Sequence, residues 1–205
     1  MREPGAQSLP PVDVPLQFME YAIRRAVIED AEAIAVVQVE SWRSTYVGIV
    51  PDAVIASLTV EFRTERWKEE FAGGSSILFV AENRSGIFGF VSGGKLRQAS
   101  DGNSIEGYDG ELYAIYLLAE NQRCGAGRLL LYRLAEALHG AGFNSMVVWV
   151  LKQNPAVSFY QRLGGIEITE STVELGGIQL AELAFGWPTL GFALNGGIDS
   201  IEPES

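Results

Sequence analysis

The sequence of 205 residues has little of the chemistry that many enzymes use. It contains a single cysteine, Cys124, and a single histidine, His139. One cysteine excludes an internal disulfide and a zinc site built on paired cysteines, and one histidine excludes a histidine-rich metal site. No apolar run approaches the roughly 18–20 residues that a membrane-spanning helix needs. We therefore expect no metal and no membrane partner, and any catalysis must depend on carboxylates, tyrosines and backbone groups.

Basic residues are also in the minority. The sequence has 15 lysines and arginines against 26 aspartates and glutamates, which gives a formal net charge of -11. Duplex nucleic acid and anionic membrane surfaces bind through basic patches, so we expect neither as a partner. The charge is compatible with a cationic substrate, although solubility alone also accounts for an acidic surface.

The two ends of the chain differ in composition from the middle. Residues 1–18 are rich in proline and lack the basic start and apolar core of a signal peptide. Residues 191–205 show no apolar periodicity. We predict a flexible extension over 1–18, one domain over 19–190 and a flexible acidic tail over 191–205. The missing signal peptide and the missing disulfide framework favour a cytoplasmic location.

Within the predicted domain, strand patterns alternate with helix patterns, which favours one α/β domain with a mixed sheet. Residues 125–138 carry leucines on one stripe and predict a helix that ends at Gly140. Strands are predicted over 111–118 and 145–151 on either side of this helix. Near the start, the pattern predicts one helix to about residue 38 and a second, broken one over 41–58.

The most informative stretch runs from Gln122 to Gly127, between a predicted strand and the leucine-striped helix. The first N–H groups of a helix have no internal acceptor and lie at the positive end of its dipole, and glycines let a bulky anion approach them. Such a junction can bind a pyrophosphate. The sequence lacks the lysine of a P-loop and the full three-glycine dinucleotide fingerprint. A simple tight turn is the alternative interpretation.

These residues, Gln122-Arg123-Cys124-Gly125-Ala126-Gly127, resemble the pyrophosphate loop of the GNAT superfamily of N-acetyltransferases. A second similar motif follows the next predicted strand, running from Asn154 to Tyr160 and on through Arg162-Leu163-Gly164-Gly165. The resemblance covers roughly residues 21–187. It implies a mixed, mostly antiparallel central sheet with flanking helices and a splayed strand pair that holds coenzyme A. In that family, an aromatic residue usually stands where this chain has Gly165.

The resemblance also implies a set of residues that bind acetyl-CoA. Backbone amides of the loop would hold the pyrophosphate, the strand before it would bond the pantetheine arm and polarise the acetyl carbonyl, and an asparagine would bond the same arm. The residues in these positions are Arg123, Cys124, Gly125, Ala126, Gly127 and Arg128 in the loop, Ile115, Tyr116 and Leu117 in the strand, and the asparagine Asn154. The resemblance leaves a homodimer open.

Two residues are candidates for proton transfer. By the resemblance, Tyr160 would lie beside the sulfur as the general acid, and a hydroxyl of pKa near 10 can protonate a thiolate at little cost. Glu111 stands where some family members carry a general base. Direct proton transfer from an alkylammonium to a carboxylate is about 6 pKa units uphill, roughly 8 kcal/mol, so Glu111 would act through water or after burial.

Each of these residues also has a purely structural interpretation. Tyr160 could pack in the core, Glu111 could be a solvated strand end, and Asn154 could cap the helix predicted after it. Trp42 and Tyr46 share a helix face and could line the acceptor pocket or belong to the core. Tyr113 and Tyr116, three residues apart in a strand, are expected on opposite faces.

The sequence therefore predicts an acetyl-CoA-dependent N-acetyltransferase that acts in a ternary complex on a primary amine of a small molecule. A protein or peptide amine is the second candidate for the acceptor. A module that binds acyl-CoA without catalysis, or a structural domain without cofactor, are the alternatives from other classes.

Overall fold

A computed structural model describes residues 21–97 and 105–191 of the chain. The strands in these ranges are β1 (Ala22–Arg25), β2 (Ile77–Asn83), β3 (Gly86–Lys95), β4 (Gly110–Leu117), β5 (Met146–Leu151), β6 (Ile166–Leu175) and β7 (Ile178–Trp187). The helices are α1 (Ala31–Thr45), α2 (Asp52–Ser57), α3 (Val60–Gly73), α4 (Ala126–Gly140) and α5 (Val157–Arg162). The calls on residues 1–18 and on the tail beyond Gly191 lie outside the described residues.

The strands form one sheet in the order β1-β2-β3-β4-β5-β7-β6. Within the described ranges, β4 and β5 pair in parallel and every other neighbouring pair is antiparallel. Helix α4 packs on one face of the sheet through its leucine stripe, and α1 packs on the other face with α3 beside it. The predicted mixed, mostly antiparallel sheet with flanking helices is confirmed. No helix among these residues is long and apolar enough to cross a membrane.

One predicted helix boundary is wrong and another is confirmed. Helix α1 continues to Thr45 without the predicted interruption near residue 38, because Ile34, Val37, Gln38 and Ser41 form one buried stripe at helical spacing. There the packed face of the helix, rather than a local stop signal, determines its length. Helix α4 ends at Gly140, as the sequence predicts.

A β-bulge in β4 changes which side chains share a face of the sheet. Ser92 of β3 pairs with Ala114 and the next residue, Gly93, pairs with Leu112, so Tyr113 is an extra residue. Leu112 and Ile115 both pack on the α4 side, and the two residues between them therefore project toward the α1 side. The expectation that Tyr113 and Tyr116 face opposite ways is wrong, because strict alternation does not hold across a bulge.

The parallel pair β4–β5 is joined only at one end. Residues 110–112 of β4 pair with residues 146–148 of β5, and the two strands have no register beyond that point. Asp109 closes the joined end, since its carboxylate accepts the backbone N–H groups of Asn144 (2.9 Å) and Ser145 (2.9 Å) and the Ser145 hydroxyl (2.8 Å). The remaining halves of the two strands diverge and leave a gap in the sheet. The splayed strand pair is thus present.

Candidate active site

The gap between β4 and β5 opens into a cavity of about 1240 Å³. Its walls come from the second half of each strand, from the loop before α4, from α5, from the end of α1 and from β6 and β7. Ligand sites of small-molecule enzymes fall in the same size range or somewhat below it. The cavity therefore connects the predicted phosphate-binding loop on one side of the sheet with the predicted acceptor residues on the other.

The loop before α4 has the backbone conformation of an anion site. Arg123 (φ 62°) and Gly125 (φ 88°) both adopt left-handed conformations, and Gly125 immediately precedes the helix. Gly125 offers no side-chain cap to the first turn of α4. The loop is fixed from outside, since the Tyr21 hydroxyl donates to the Cys124 carbonyl (3.3 Å) and Gln122 donates to the Leu117 carbonyl (3.2 Å). The start of α4, whose first N–H groups have no acceptor within the helix, thus lies at the cavity wall in a fixed position.

Three arginines line the cavity among the described residues, and all three are exposed. Arg123 and Arg128 flank the loop as the sequence predicts, whereas Arg162, in the last turn of α5, was not among the predicted site residues. Their charges favour an anionic ligand even though the whole chain is acidic, because screening limits distant charges to about 8 Å. Gly127 lies beside them, and a methyl group there would contact Leu117 and Phe159 at 3.5 Å.

Most of the predicted coenzyme A residues line the cavity, but two do not. The lining includes Ile115, Tyr116, Leu117, Arg123, Gly125, Gly127, Arg128 and Asn154. The thiol of Cys124 donates to the Asn121 carbonyl (3.0 Å), and the Ala126 side chain is buried under α4. Cys124 and Ala126 can therefore contribute to a ligand only through their backbone.

Three tyrosines meet at the centre of the cavity. Tyr46 follows α1, Tyr116 lies on β4 and Tyr160 lies on α5, and all three line the cavity. The hydroxyls of Tyr46 and Tyr116 hydrogen-bond to each other, and the Trp42 indole N–H donates to the Tyr116 hydroxyl (3.0 Å). Tyr160 is close enough to raise the pKa of the Tyr116 hydroxyl, and Tyr46 in turn raises the pKa of the Tyr160 hydroxyl. We call Tyr46, Tyr116 and Tyr160 the tyrosine cluster.

Burial keeps the tyrosine cluster protonated. Desolvation raises the pKa of Tyr160 and of Tyr116 well above the ordinary value of 10.0, and the neighbouring hydroxyl of Tyr46 adds to both shifts. Burial also raises the pKa of Tyr46, while hydrogen bonds from Tyr116 and Asn154 oppose that shift. Throughout the neutral and mildly alkaline range these hydroxyls are therefore hydrogen-bond donors and proton donors, not bases.

Asn154 connects the tyrosine cluster to the helix α5. Its side-chain amide donates to the Tyr46 hydroxyl (2.9 Å), and its carbonyl oxygen accepts the backbone N–H of Ala156 (2.8 Å). Helix α5 begins at Val157 after an N-cap at Ala156, so Asn154 is not the cap of this helix. Asn154 therefore organises the turn into α5 and holds Tyr46, and its predicted bond to the pantetheine arm stays a prediction.

Glu111 lies at the joined end of the strand pair and is not part of the cavity lining. Its side chain is buried, and its carboxylate accepts the backbone N–H of Arg97 (2.9 Å) and the Arg97 guanidinium Nε (3.1 Å). The Arg97 guanidinium also lies over the Tyr113 ring, 4.2 Å from its centroid. This hydrogen bonding raises the pKa of Arg97, although its partial burial opposes the shift. The structure thus places Glu111 in an ion pair at the edge of the site.

The side of the cavity predicted to bind the acceptor is lined mainly by apolar and aromatic residues. The rings of Trp42 and Tyr46 lie 4.5 Å apart, and both residues line the cavity as the sequence predicts. Val173 and Leu175 of β6 and Glu182 of β7 complete this wall and were not predicted. No motif marks these three residues, because only the pairing of β6 and β7 beside β5 brings them to the cavity. Among the described residues, no group of three or more histidine, cysteine and acidic side chains is suited to hold a metal.

Gly165, which stands where the GNAT family usually has an aromatic residue, lies beneath the indole of Trp187. A Cβ atom at Gly165 would approach Trp187 and the Tyr160 carbonyl to 3.0 Å. The indole N–H of Trp187 donates to the Leu163 carbonyl (2.8 Å), and its ring contacts Tyr160 edge-on at 6.3 Å. An aromatic ring from β7 thus packs against Tyr160 at this position.

Comparisons with known proteins agree with this geometry. The family described as FR47-like protein matches residues 87–173. The uncharacterized N-acetyltransferase YuaI of Bacillus subtilis is 46% identical over 169 residues, which cover 82% of this chain and 93% of YuaI. PaiA N-acetyltransferase of Thermoplasma acidophilum, solved with coenzyme A, is 24% identical with a TM-score of 0.61, over 80% of this chain and 98% of that one. YncA of Salmonella typhimurium, solved with its cofactor acetyl-CoA, is 21% identical with a TM-score of 0.62. The match covers 91% of this chain and 99% of YncA.

The structural likenesses show the fold, and the identity to YuaI over most of both chains shows the family. The resemblance drawn from the two sequence motifs is confirmed. The chain belongs to the GNAT superfamily of acetyl-CoA-dependent N-acetyltransferases.

Proposed function

We propose that this protein transfers the acetyl group of acetyl-CoA to a primary amine of a small molecule, by direct attack within a ternary complex. The observation that carries the proposal is one continuous cavity that joins the loop before α4 to the tyrosine cluster and to an apolar wall. The loop and its arginines suit the phosphates, and the gap between β4 and β5 suits the pantetheine arm. Binding both substrates side by side can contribute several kcal/mol to catalysis.

In this mechanism, the amine nitrogen attacks the thioester carbonyl and forms a tetrahedral intermediate. Backbone groups of β4 from Ile115 to Leu117 face the gap, outside any ladder with β5, and they are suited to polarise the carbonyl and stabilise its oxyanion. The C–S bond then breaks, and the thiolate takes a proton from Tyr160. The nitrogen loses its extra proton to water, and the products are an amide and free coenzyme A.

Tyr160 is the proposed general acid. Its raised pKa makes it a weaker acid than an exposed tyrosine, so proton transfer depends on a thiolate that is itself desolvated in the cavity. In return, the residue stays protonated through the neutral and mildly alkaline range, in which a growing fraction of the amine is neutral. Tyr46 and Tyr116 stabilise the developing charge through the shared hydroxyl network.

Glu111 remains a proposed base in a limited sense. Because its carboxylate is bonded to Arg97 and lies outside the cavity lining, we propose that it acts through water and by fixing Arg97 beside Tyr113. Glu111→Gln tests this role. If the variant keeps the wild-type pH dependence of kcat/KM, Glu111 positions its neighbours and does not accept the proton.

The test of the proposed function uses the full chain with acetyl-CoA and a panel of amino acids, diamines, polyamines, aminoglycosides and peptides. We expect amine-dependent release of free thiol together with an acetylated product detected by mass spectrometry. Calorimetry with coenzyme A accompanies it. Binding without turnover on any amine would favour the non-catalytic module, turnover on peptides alone would favour a protein acceptor, and no binding would favour a structural domain.

A further inference from the structure

Glu182 brings a carboxylate to the acceptor side of the cavity. On β7 it lies opposite Leu151 of β5 and opposite Ser171 of β6, and it is half-buried. Leu151 packs with Tyr46 and with Leu175 on the α1–α2 side of the sheet. Residues that pair across neighbouring strands share a face, so Glu182 belongs to the same apolar wall.

The charges around the cavity are separated between its two ends. Among the described lining residues, the basic ones are Arg123, Arg128 and Arg162, which surround the phosphate-binding loop and α5. Glu182 is the acidic residue in the same lining, and it lies on the opposite side of the sheet from α4. A cavity with this charge distribution suits an anionic cosubstrate at one end and a cationic acceptor at the other.

We propose that Glu182 binds a second cationic group of the acceptor, so that the acceptor is a small molecule with two basic groups joined by an apolar spacer. This inference rests on the proposed acetyltransferase function. The nitrogen that attacks the thioester must be neutral, and a carboxylate beside it would stabilise the unreactive ammonium form. A carboxylate in this wall is therefore better suited to bind the second cationic group of the acceptor, which does not react and keeps its charge throughout.

The positions of Glu182 and Tyr160 agree with two separate binding points. The Tyr160 ring packs against Phe185 (centroids 6.2 Å apart) on the α4 side of the sheet. Phe185 is three residues beyond Glu182 on β7, which corresponds to roughly 10 Å of strand. Between Glu182 and Phe185, the pair on the same face of the sheet as Glu182 is Ala184 of β7 and Trp149 of β5, and Trp149 lines the cavity, so this stretch of wall is apolar and aromatic and suits an alkyl spacer.

The test compares straight-chain diamines, from propane-diamine to octane-diamine, with the monoamine of the same chain length. For the wild type we expect kcat/KM for the best diamine to exceed that of its monoamine by about tenfold or more, the effect of roughly 1.4 kcal/mol. Glu182→Gln should remove this preference by raising KM for the diamine, while kcat, the monoamine values and KM for acetyl-CoA stay unchanged. Glu174→Gln, on the opposite face of the adjacent strand and hydrogen-bonded to Gln179, is the matched control and should behave as wild type.

Two results would overturn the inference. A diamine preference that survives in Glu182→Gln would exclude the residue from acceptor binding. A kcat that falls equally for monoamines and diamines, with a shifted pH profile, would show that Glu182 acts on the reacting nitrogen instead. Calorimetric binding of the diamines to the coenzyme A complex gives the same comparison without turnover, so failure of the proposed function and failure of this inference are distinguishable.

Discussion

The two ends of the cavity are built in different ways. The proposed phosphate-binding end comes from one continuous segment, residues 122–128, in which Arg123 and Gly125 adopt left-handed conformations and the helix begins directly after Gly125. The tyrosine cluster is assembled from separate segments. Asn154 and Tyr46, which hydrogen-bond at 2.9 Å, are 108 positions apart in the sequence, and Trp42 and Tyr116 are 74 apart.

Because of this difference, we expect coenzyme A binding and catalysis to depend on different parts of the cavity. In the proposed function, the loop end would bind phosphates mainly through backbone N–H groups, which almost any side-chain change leaves in place unless it alters the backbone or fills the cavity. The tyrosine cluster would act through side-chain hydroxyls, which a single substitution removes. We therefore expect changes at the loop to appear in coenzyme A affinity and changes in the cluster to appear in kcat.

The largest expected effect is that of Tyr160→Phe. Removing the hydroxyl leaves the ring packed between Phe185 and Trp187 but takes away the proposed proton donor. We expect kcat to fall by about 10²–10³-fold, in the usual range for general acid catalysis. Calorimetric affinity for coenzyme A should stay within about twofold of wild type.

The control for this variant is Tyr132→Phe, in α4 and outside the cavity lining, for which kcat should not change. If Tyr160→Phe instead keeps a wild-type kcat, the tyrosine cluster is structural and the division between the two ends fails. If Tyr160→Phe loses coenzyme A binding, the tyrosine cluster contributes to cosubstrate binding and not only to catalysis.

The pH dependence is the second test. Below a pKa near 10.4, the neutral fraction of an alkylamine rises about tenfold for each pH unit. Because only the neutral amine attacks, kcat/KM should rise about 100-fold between pH 7 and 9. Because burial raises the pKa of Tyr160 well above 10.0, its acid form persists and no falling limb is expected in this range. Initial rates in a constant-ionic-strength buffer series measure the profile. A profile that is flat from pH 6 to 9 would argue against Glu111 as a base.

A smaller effect is expected at the loop end from Gly127→Ala. The added methyl group would make ordinary contacts with Leu117 and Phe159, both of which line the cavity, so the fold tolerates it but the cosubstrate loses space. We expect about tenfold weaker binding of coenzyme A, roughly 1.4 kcal/mol, with kcat at saturation unchanged. Calorimetry measures the affinity.

Gly140→Ala is the matched control for this substitution, because Gly140 lies in the same helix and a methyl group there meets nothing within 4 Å. Both variants replace a helical glycine by alanine, which favours the helix by about 0.5–1 kcal/mol. Only Gly127→Ala should weaken binding. Equal affinity in the two variants would place the phosphates elsewhere.

The contrast between the ends also explains what could be predicted from the sequence. The loop from Gln122 to Gly127 was recognised because the glycines and the helix start are consecutive, so a local pattern contains all the information. The leucine-striped helix and the mixed sheet follow from equally local periodicities. Arg162 belongs to the second motif but was given no role there, and Glu182 carries no local signal, since it reaches the cavity only through strand pairing.

Other errors came from tertiary packing. The bulge at Tyr113 reverses the alternation of side chains, and nothing in the residues around it marks the extra position. Glu111 lies in the expected strand, yet the Arg97 side chain that binds it comes from a segment with no predicted structure. The alternative interpretation made Asn154 a helix cap, but its side chain accepts the Ala156 N–H in the turn before α5, and its bond to Tyr46 depends on how α1 crosses the sheet.

The smallest expected effect concerns the joined end of β4 and β5, on which both ends of the cavity depend. Burial alone would raise the pKa of Asp109, but hydrogen bonds from Asn144 and Ser145 outweigh it and hold the pKa below the ordinary value of 3.8. A carboxyl whose pKa is lowered by folding stabilises the fold above its unfolded pKa, and this contribution is lost as the pH falls through the folded pKa. Asp109→Asn should therefore lower the free energy of unfolding by about 1–2 kcal/mol at pH 7 and by progressively less at a pH below the ordinary value of 3.8.

Thermal denaturation at the two pH values measures this difference. For a chain of this size, the melting temperature is expected to fall by about 2–4 °C for each kcal/mol of lost stability. Asp52→Asn, at the exposed start of α2, serves as a control that removes one negative charge from a helix N-terminus far from the joined strands. Because Asp109 lies outside the cavity lining, the variant should bind coenzyme A and turn over at wild-type rates at low temperature. A loss of kcat alone would mean that the joined end sets the position of β4 at the tyrosine cluster, and the two ends would then not be separable.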